Sequence, residues 1–200
     1  DGSTMTLTDV TVTTNTAATN GGAGYMTKAI AGAAATSTVT LTGASSQVTS
    51  NTASTGGGGG VYFHDSTTGT ITSATLKSNT ATAGAGGGLY VSTSAVVTMA
   101  DAVIDGNIAG TDGGGVYVTG ASSKVTSTGA TTQVKNNQAI TPAGTGRGGG
   151  FALFSGAEVE ITAGTTTLNQ AKRGGGVYVD ASTFKTVSYT HLRAHETVMN

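Results

Sequence analysis

The chain has 200 residues, a formal net charge of −1 and only 10% charged residues, and Thr, Gly, Ala and Ser supply more than half of it. Without a basic excess, nucleic acid is not an expected partner. Cys is absent, so there is no disulfide framework and no thiolate metal site. No apolar run reaches the ~18 residues of a membrane-spanning helix, and 33 glycines argue against a helical protein.

Read from the N-terminus, the chain repeats one unit six times. The first unit runs through Thr6-Leu7-Thr8 and Val12 to Asn15 and Ala17, then to Gly21-Gly22-Ala23-Gly24-Tyr25-Met26. An Ala-rich insertion over Lys28–Thr36 follows, the one helical candidate, interrupted by Gly32. The second unit has Thr38-Val39-Thr40-Leu41-Thr42, then Val48 three residues before Asn51, then Gly58-Gly59-Gly60-Val61-Tyr62-Phe63. The third has Leu76 before Asn79 and Gly86-Gly87-Gly88-Leu89-Tyr90-Val91. The fourth has Val97-Thr98-Met99, Ile104 before Asn107 and Gly113-Gly114-Gly115-Val116-Tyr117-Val118. The fifth has Val134 before Asn137, an insertion over Ile140–Arg147 holding the only Pro, and Gly148-Gly149-Gly150-Phe151-Ala152-Leu153. The sixth has Glu158-Val159-Glu160-Ile161, Leu168 beside Asn169, and Gly174-Gly175-Gly176-Val177-Tyr178-Val179.

Aliphatic residues alternating with Thr or Ser mark half-buried strands, and Gly and Asn mark the bends between them. Three short strands in each unit of about 28–36 residues cannot bury one face alone, but stacked units share a continuous core. The expectation is an all-β, right-handed parallel β-helix of about six coils over residues 1–183, its hand following from the chirality of parallel connections. Asn51, Asn79, Asn107, Asn137 and Asn169 should stack as an internal amide ladder, with Asn itself taking the left-handed backbone of a corner. The Ala two residues later should fit a tight corner. Tyr62, Tyr90, Tyr117 and Tyr178 should line one outer face, with a gap at Ala152.

These units resemble the repeats of polymorphic outer membrane proteins, the β-helical passenger domains of bacterial autotransporters. The Phe-x-x-Asn motif becomes aliphatic-x-x-Asn at Val48–Asn51, Leu76–Asn79, Ile104–Asn107 and Val134–Asn137, and Gly-Gly-Ala-Ile becomes Gly-Gly-Gly-(Val/Leu)-Tyr. The resemblance implies secretion, an extracellular or outer-membrane surface location and adhesion. Its motifs are structural and transfer no binding residue. The chain opens inside a repeat, as a fragment would. Residues 184–200 are expected to be a non-native or disordered tail, because Val187–Thr197 resembles a translated sequencing adapter. His191, His195 and Glu196 are therefore not assembled into a metal site, despite their spacing.

Little chemistry remains. His64 reads as a turn residue. Asp101 and Asp105 flank one strand, and Glu158 and Glu160 share one solvent-facing strand surface, so neither pair reads as an acid–base couple. The calcium-binding Gly-Gly-x-Gly-x-Asp pattern fails at Met26. An ice-binding Thr-x-Thr array reads as broken, because the fourth coil offers only Thr98 and the sixth has Glu158/Glu160. Asp112 and Arg147 precede the Gly triplets of neighbouring coils and should pair, while Arg147, Lys172 and Arg173 should form a small basic spot. The expected function is non-enzymatic and needs no cofactor: a surface stalk with weak contacts to glycans or host and cell-surface proteins. The alternative is a fragment of a β-helical carbohydrate-active enzyme.

Overall fold

The longest strands are the Thr–aliphatic alternations. The computed structural model describes residues 3–27, 36–140 and 146–187. Within it, Thr38–Thr42, Thr68–Thr72 and Val96–Ala100 are neighbours in a seven-stranded sheet (sheet 1) that starts at Thr4–Thr8 and ends at Thr183–Thr186. Three further sheets hold six strands each. Sheet 2 contains the strands that carry the aliphatic before Asn, such as Gln47–Thr49 and Thr75–Lys77. Sheet 3 is built from two-residue strands such as Thr52–Ala53 and Thr80–Ala81. Sheet 4 contains the strands that follow the glycines, such as Val61–Phe63 and Leu89–Ser92.

The chain crosses the sheets in this order six times, and every strand pairs in parallel with its equivalent in the next coil. The molecule is therefore an all-β parallel solenoid. All three expected runs per coil are present. The third divides at its Asn, and the two residues after the Asn make the fourth strand. The last strand of sheet 1, Thr183–Thr186, crosses the boundary expected at residue 183: Phe184 is in register with Val159 and packs on the core, and the Val187 N–H donates to the Ile161 carbonyl. The expected tail beyond Val187, with His191, His195 and Glu196, lies outside the described residues, as does most of both expected insertions.

Alternation decides the core. Val61, Leu89, Val116, Phe151 and Val177 stack as one buried column in sheet 4. Val48, Leu76, Ile104 and Val134 stack as another in sheet 2. Each such side chain contributes roughly 1.5–3 kcal/mol by leaving water. Sizes compensate across the core. Gly69 stands where neighbouring coils have Val39 and Val97, and the Phe63 ring occupies the space that its Cβ would need. Sheet 3 turns an Ala column inward at Ala53, Ala81, Ala109 and Ala139. The glycines lie so close to sheet 3 that a Cβ on Gly59 would strike the Thr80 backbone. A third-position Cβ, at Gly88, would press on the Asn107 amide.

One expectation about the corners is corrected. The left-handed residue is the one before the ladder Asn: Thr14, Ser50, Ser78, Gly106, Asn136 and Leu168, with φ between 53° and 63°. The Asn that follows is freed to aim its amide along the rod axis instead of bonding its own turn.

Candidate functional surfaces

The Asn ladder is the most regular polar feature, and it faces inward. Asn51, Asn79, Asn107 and Asn137 are fully buried, and Asn169 nearly so. Each Oδ1 accepts both the backbone N–H and the side-chain N–H of the previous coil's Asn. For Asn107, the bonds from Asn79 are 2.9 and 3.0 Å. Its Nδ2 donates to the Leu76 carbonyl at 3.0 Å and to Asn137 Oδ1 at 2.9 Å. The ladder extends one rung beyond expectation, to Asn15. From Asn51 to Asn137 the amide groups are committed to neighbouring coils, so the ladder's visible work is holding the coils together.

The tyrosines do form a row on sheet 4, but not the open one expected. Tyr62 is only 9% exposed, and its hydroxyl lies 2.9 Å from Ser92 Oγ. Tyr90 and Tyr117 are half-buried. The rings pack against one another at a tilt: Tyr62–Tyr90 centroids are 4.3 Å apart with planes at 49°, and Tyr90–Tyr117 4.7 Å apart at 39°. The gap at Ala152 is closed by Phe154, two residues further on, whose ring lies 5.4 Å from Tyr117 and 5.5 Å from Tyr178. Tyr25 begins the row, with Tyr62 edge-on at 5.1 Å and His64 at 6.0 Å. Identical register puts the rings at about the inter-strand spacing, so stacking is the default outcome of a repeated Tyr. Burial pushes the phenols of Tyr62, Tyr90 and Tyr117 above the usual range, with neighbouring tyrosines pushing Tyr90 the same way and hydrogen bonds partly opposing at Tyr62 and Tyr117. Between coils the rings cover one another, so the row presents less aromatic face to water than separate exposed tyrosines would.

Asp112 and Arg147 meet as the glycine register requires. The guanidinium is bidentate, with Nε to Oδ1 at 3.0 Å and Nη2 to Oδ2 at 2.9 Å, and the Arg147 backbone N–H also donates to Oδ1. The Arg147 Cζ sits 4.5 Å from the Phe154 ring centroid and 5.3 Å from that of Tyr178. Hydrogen bonding to Asp112 raises the Arg147 pKa, against desolvation. Arg147 and Arg173 form a backbone bridge, so they are coil neighbours as expected. Arg147 is thus anchored by its carboxylate and two rings, while Lys172 and Arg173 are the exposed cations of the expected basic spot.

The carboxylate pairs are tied as well. Lys124 Nζ lies 2.9 Å from both Glu158 Oε1 and Glu160 Oε2, and Lys185 reaches Glu158 at 3.2 Å. Hydrogen bonds from Lys124 and then Lys185 hold the Glu158 carboxyl below the usual range. A general acid needs the opposite shift. Asp101 accepts from the Thr131 hydroxyl at 2.7 Å and the Thr131 N–H at 3.1 Å, which lowers its pKa too. Asp105 accepts from Asn136 at 2.8 Å. Lys124 and Phe154 were not singled out from the sequence. Aligning Val125 with Val159 and Leu153 with Val118 places both.

The Thr-x-Thr pair is lost at the fourth coil and replaced by Glu158 and Glu160 in the sixth, as the sequence reads, but the register shows how far the threonines extend before that. Thr6, Thr40, Thr70, Thr98 and Thr126 stand in one register on sheet 1, flanked over the first three coils by Thr4–Thr38–Thr68 and Thr8–Thr42–Thr72. In the fourth coil Val96 and Ala100 stand in the flanking columns, so only the central column runs on to the charged cluster. Among the described residues no group of three His, Asp or Glu side chains could hold a metal ion. A cavity of about 200 Å³ at the N-terminal end is lined by Met5, Leu7, Val12, Met26, Phe63 and other apolar groups.

No curated protein and no solved structure gave a significant match to this chain. A family model described as a right-handed beta helix region matches residues 2–139, well over half of the sequence. With the parallel coils and their stacked columns, that match places this chain in the right-handed β-helix family.

Proposed function

We propose that this β-helix is a non-enzymatic, surface-exposed stalk of an adhesin or autotransporter-like secreted protein, with at most weak contacts to glycans or cell-surface proteins along its sides. The observation that carries the reading is where the polar groups are spent. The amides lock coil to coil, the rings stack on rings, and Glu158, Glu160, Asp101 and Asp112 are each committed to a partner in a neighbouring coil. That economy suits a rod whose task is to keep its length and shape. Lys172 and Arg173 are the side chains best placed to attract an acidic glycan. A glycan array run beside a reducing-sugar assay on polysaccharides tests the proposal. Weak binding without turnover supports it. Polysaccharide cleavage that disappears in Glu158→Gln or Glu160→Gln overturns it in favour of a carbohydrate-active enzyme.

A further inference from the structure

The outward face of sheet 1 has a property that a stalk does not require. Over the first three coils it is a three-by-three grid of threonines, and the central column continues through Thr98 and Thr126. Threonine hydroxyls that do find protein partners lie elsewhere, among them Thr14, Thr49, Thr55, Thr93, Thr128, Thr131 and Thr162. Among the described residues the grid hydroxyls have none.

The grid is periodic in two directions. Along the rod the spacing is that of parallel strands, about 4.8 Å, and along each strand alternate residues stand about 6.7 Å apart. Threonine is restricted at χ1, so each hydroxyl and methyl samples fewer positions than an unbranched side chain would. The outward strand positions are also uncharged from the first coil to the fourth, with the exposed carboxylates of Asp9 and Asp101 beyond the strand ends, and the first charge among them is Lys124, which opens the ion-paired cluster with Glu158, Glu160 and Lys185.

We infer that this threonine grid is a binding surface for ice. A neutral partner is required, because a charged one would find no counter-charge. A partner with its own two-dimensional repeat is required, because identical groups at fixed intervals reward only a lattice. The oxygen rows of ice repeat within a few tenths of an ångström of the inter-strand spacing. The hydroxyls join the hydrogen-bonded water network, and the methyls between them leave the intervening water little alternative to a cage-like arrangement. A crystalline polysaccharide is also neutral and periodic, but its sugar rings are gripped by aromatic faces, and here the stacked row lies on sheet 4. The full grid spans only ~10 Å by ~13 Å, two coil steps by two residue-pair steps, and the central column alone runs on to ~19 Å. So small a patch acts by slowing recrystallisation more than by a large freezing-point depression. The inference is independent of the stalk proposal.

The test uses the full chain in an ice-recrystallisation assay and in partitioning into a slowly grown ice hemisphere. Thr70→Tyr places a bulky ring at the centre of the grid, and Thr75→Tyr places the same ring on the outer side of sheet 2. The wild type and Thr75→Tyr should partition into ice. Thr70→Tyr should need roughly tenfold more protein for the same inhibition, equivalent to about 1.4 kcal/mol. Thr70→Ser, which keeps the hydroxyl but frees its rotation, should show a smaller loss in the same direction, with melting temperatures tracking the folding of each variant. Exclusion of the wild type from ice overturns the inference. So does equal activity of folded Thr70→Tyr, or adsorption to microcrystalline cellulose or chitin without any effect on ice.

Discussion

Removing one rung of the amide ladder tests the central structural argument. Asn107→Ala deletes the acceptor of the Asn79 backbone and side-chain N–H groups and the donor to the Leu76 carbonyl. Asn107 is fully buried, so these groups lose their partner where water does not replace it. A buried unsatisfied group costs about 1–3 kcal/mol. Two or three of them give a loss of roughly 2–9 kcal/mol, a large part of the ~5–15 kcal/mol typical of a folded domain. The same change at the first rung should cost much less. Asn15 donates to Asn51 and accepts from no preceding Asn among the described residues, so Asn15→Ala should cost about 1 kcal/mol.

Asn107→Asp sharpens the test. It keeps the acceptor for Asn79 but sets a carboxylate oxygen against the Leu76 carbonyl and Asn137 Oδ1, where an N–H₂ stood. Burial among acceptors raises the folded-state pKa of that Asp above its unfolded value of about 3.9. Stability is then greatest below the unfolded pKa and is lost as pH rises through the folded one. The variant should trail Asn107→Ala at neutral pH and recover ground on acidification. Urea denaturation read by circular dichroism measures all three variants, and hydrogen exchange locates the opening around the altered coil. A loss of less than about 1 kcal/mol for Asn107→Ala, or equal losses at the first and fourth rungs, would refute the ladder as a source of stability.

Three further outcomes follow from the packing. Leu168 holds the left-handed position with φ 57° and is 73% exposed, so Leu168→Asn, matching Asn136 one coil earlier, should raise stability by about 0.5–1 kcal/mol in the same urea assay. The phenols of Tyr62, Tyr90 and Tyr117 are raised by burial, so the folded rod keeps protons that the unfolded chain releases near pH 10; melting temperature should fall as pH rises past that point, and Tyr90→Phe should shallow the decline. Leu76→Asp puts a charge in a fully buried column and should cost more than about 4 kcal/mol, read as loss of the cooperative melting transition.

The fold was legible because the core depends on period and register, and both are written in the sequence. Val48, Leu76, Ile104 and Val134 stand three residues before an Asn and are buried as that spacing implies. The Asp112–Arg147 pair followed from aligning glycine triplets alone. The outer surfaces were less legible, because coils of unequal length shift equivalent positions out of simple view. Phe154 sits in register with Thr119, not Tyr117, yet its ring swings back into the aromatic row. The fourth coil reads as a break because it offers only Thr98, and Val96 and Ala100 do end the flanking columns there, but the reading does not show that Thr98 keeps the central column. The left-handed corner was assigned to Asn by propensity. The ladder's hydrogen bonds override that preference and pass the strain to the preceding residue, even to Leu168.

The two outer faces beside each other separate what the fold demands from what it leaves free. On sheet 2, positions paired across successive coils hold Thr11, Gln47, Thr75, Val103, Gln133 and Thr165, and two residues on they hold Thr13, Thr49, Lys77, Asp105, Lys135 and Thr167. These strands form equally well with Gln, Lys, Val or Asp outward, so strand formation does not select threonine there. Sheet 1 obeys the same rule in its last coils, where Lys124, Glu158 and Glu160 occupy outward positions. Its first three coils do not: nine outward positions in register are all threonine. Residue composition and strand propensity act on both sheets alike and predict mixed faces on both. The uniform grid therefore asks for a reason outside the fold, and a repeating neutral surface is matched by a repeating neutral partner.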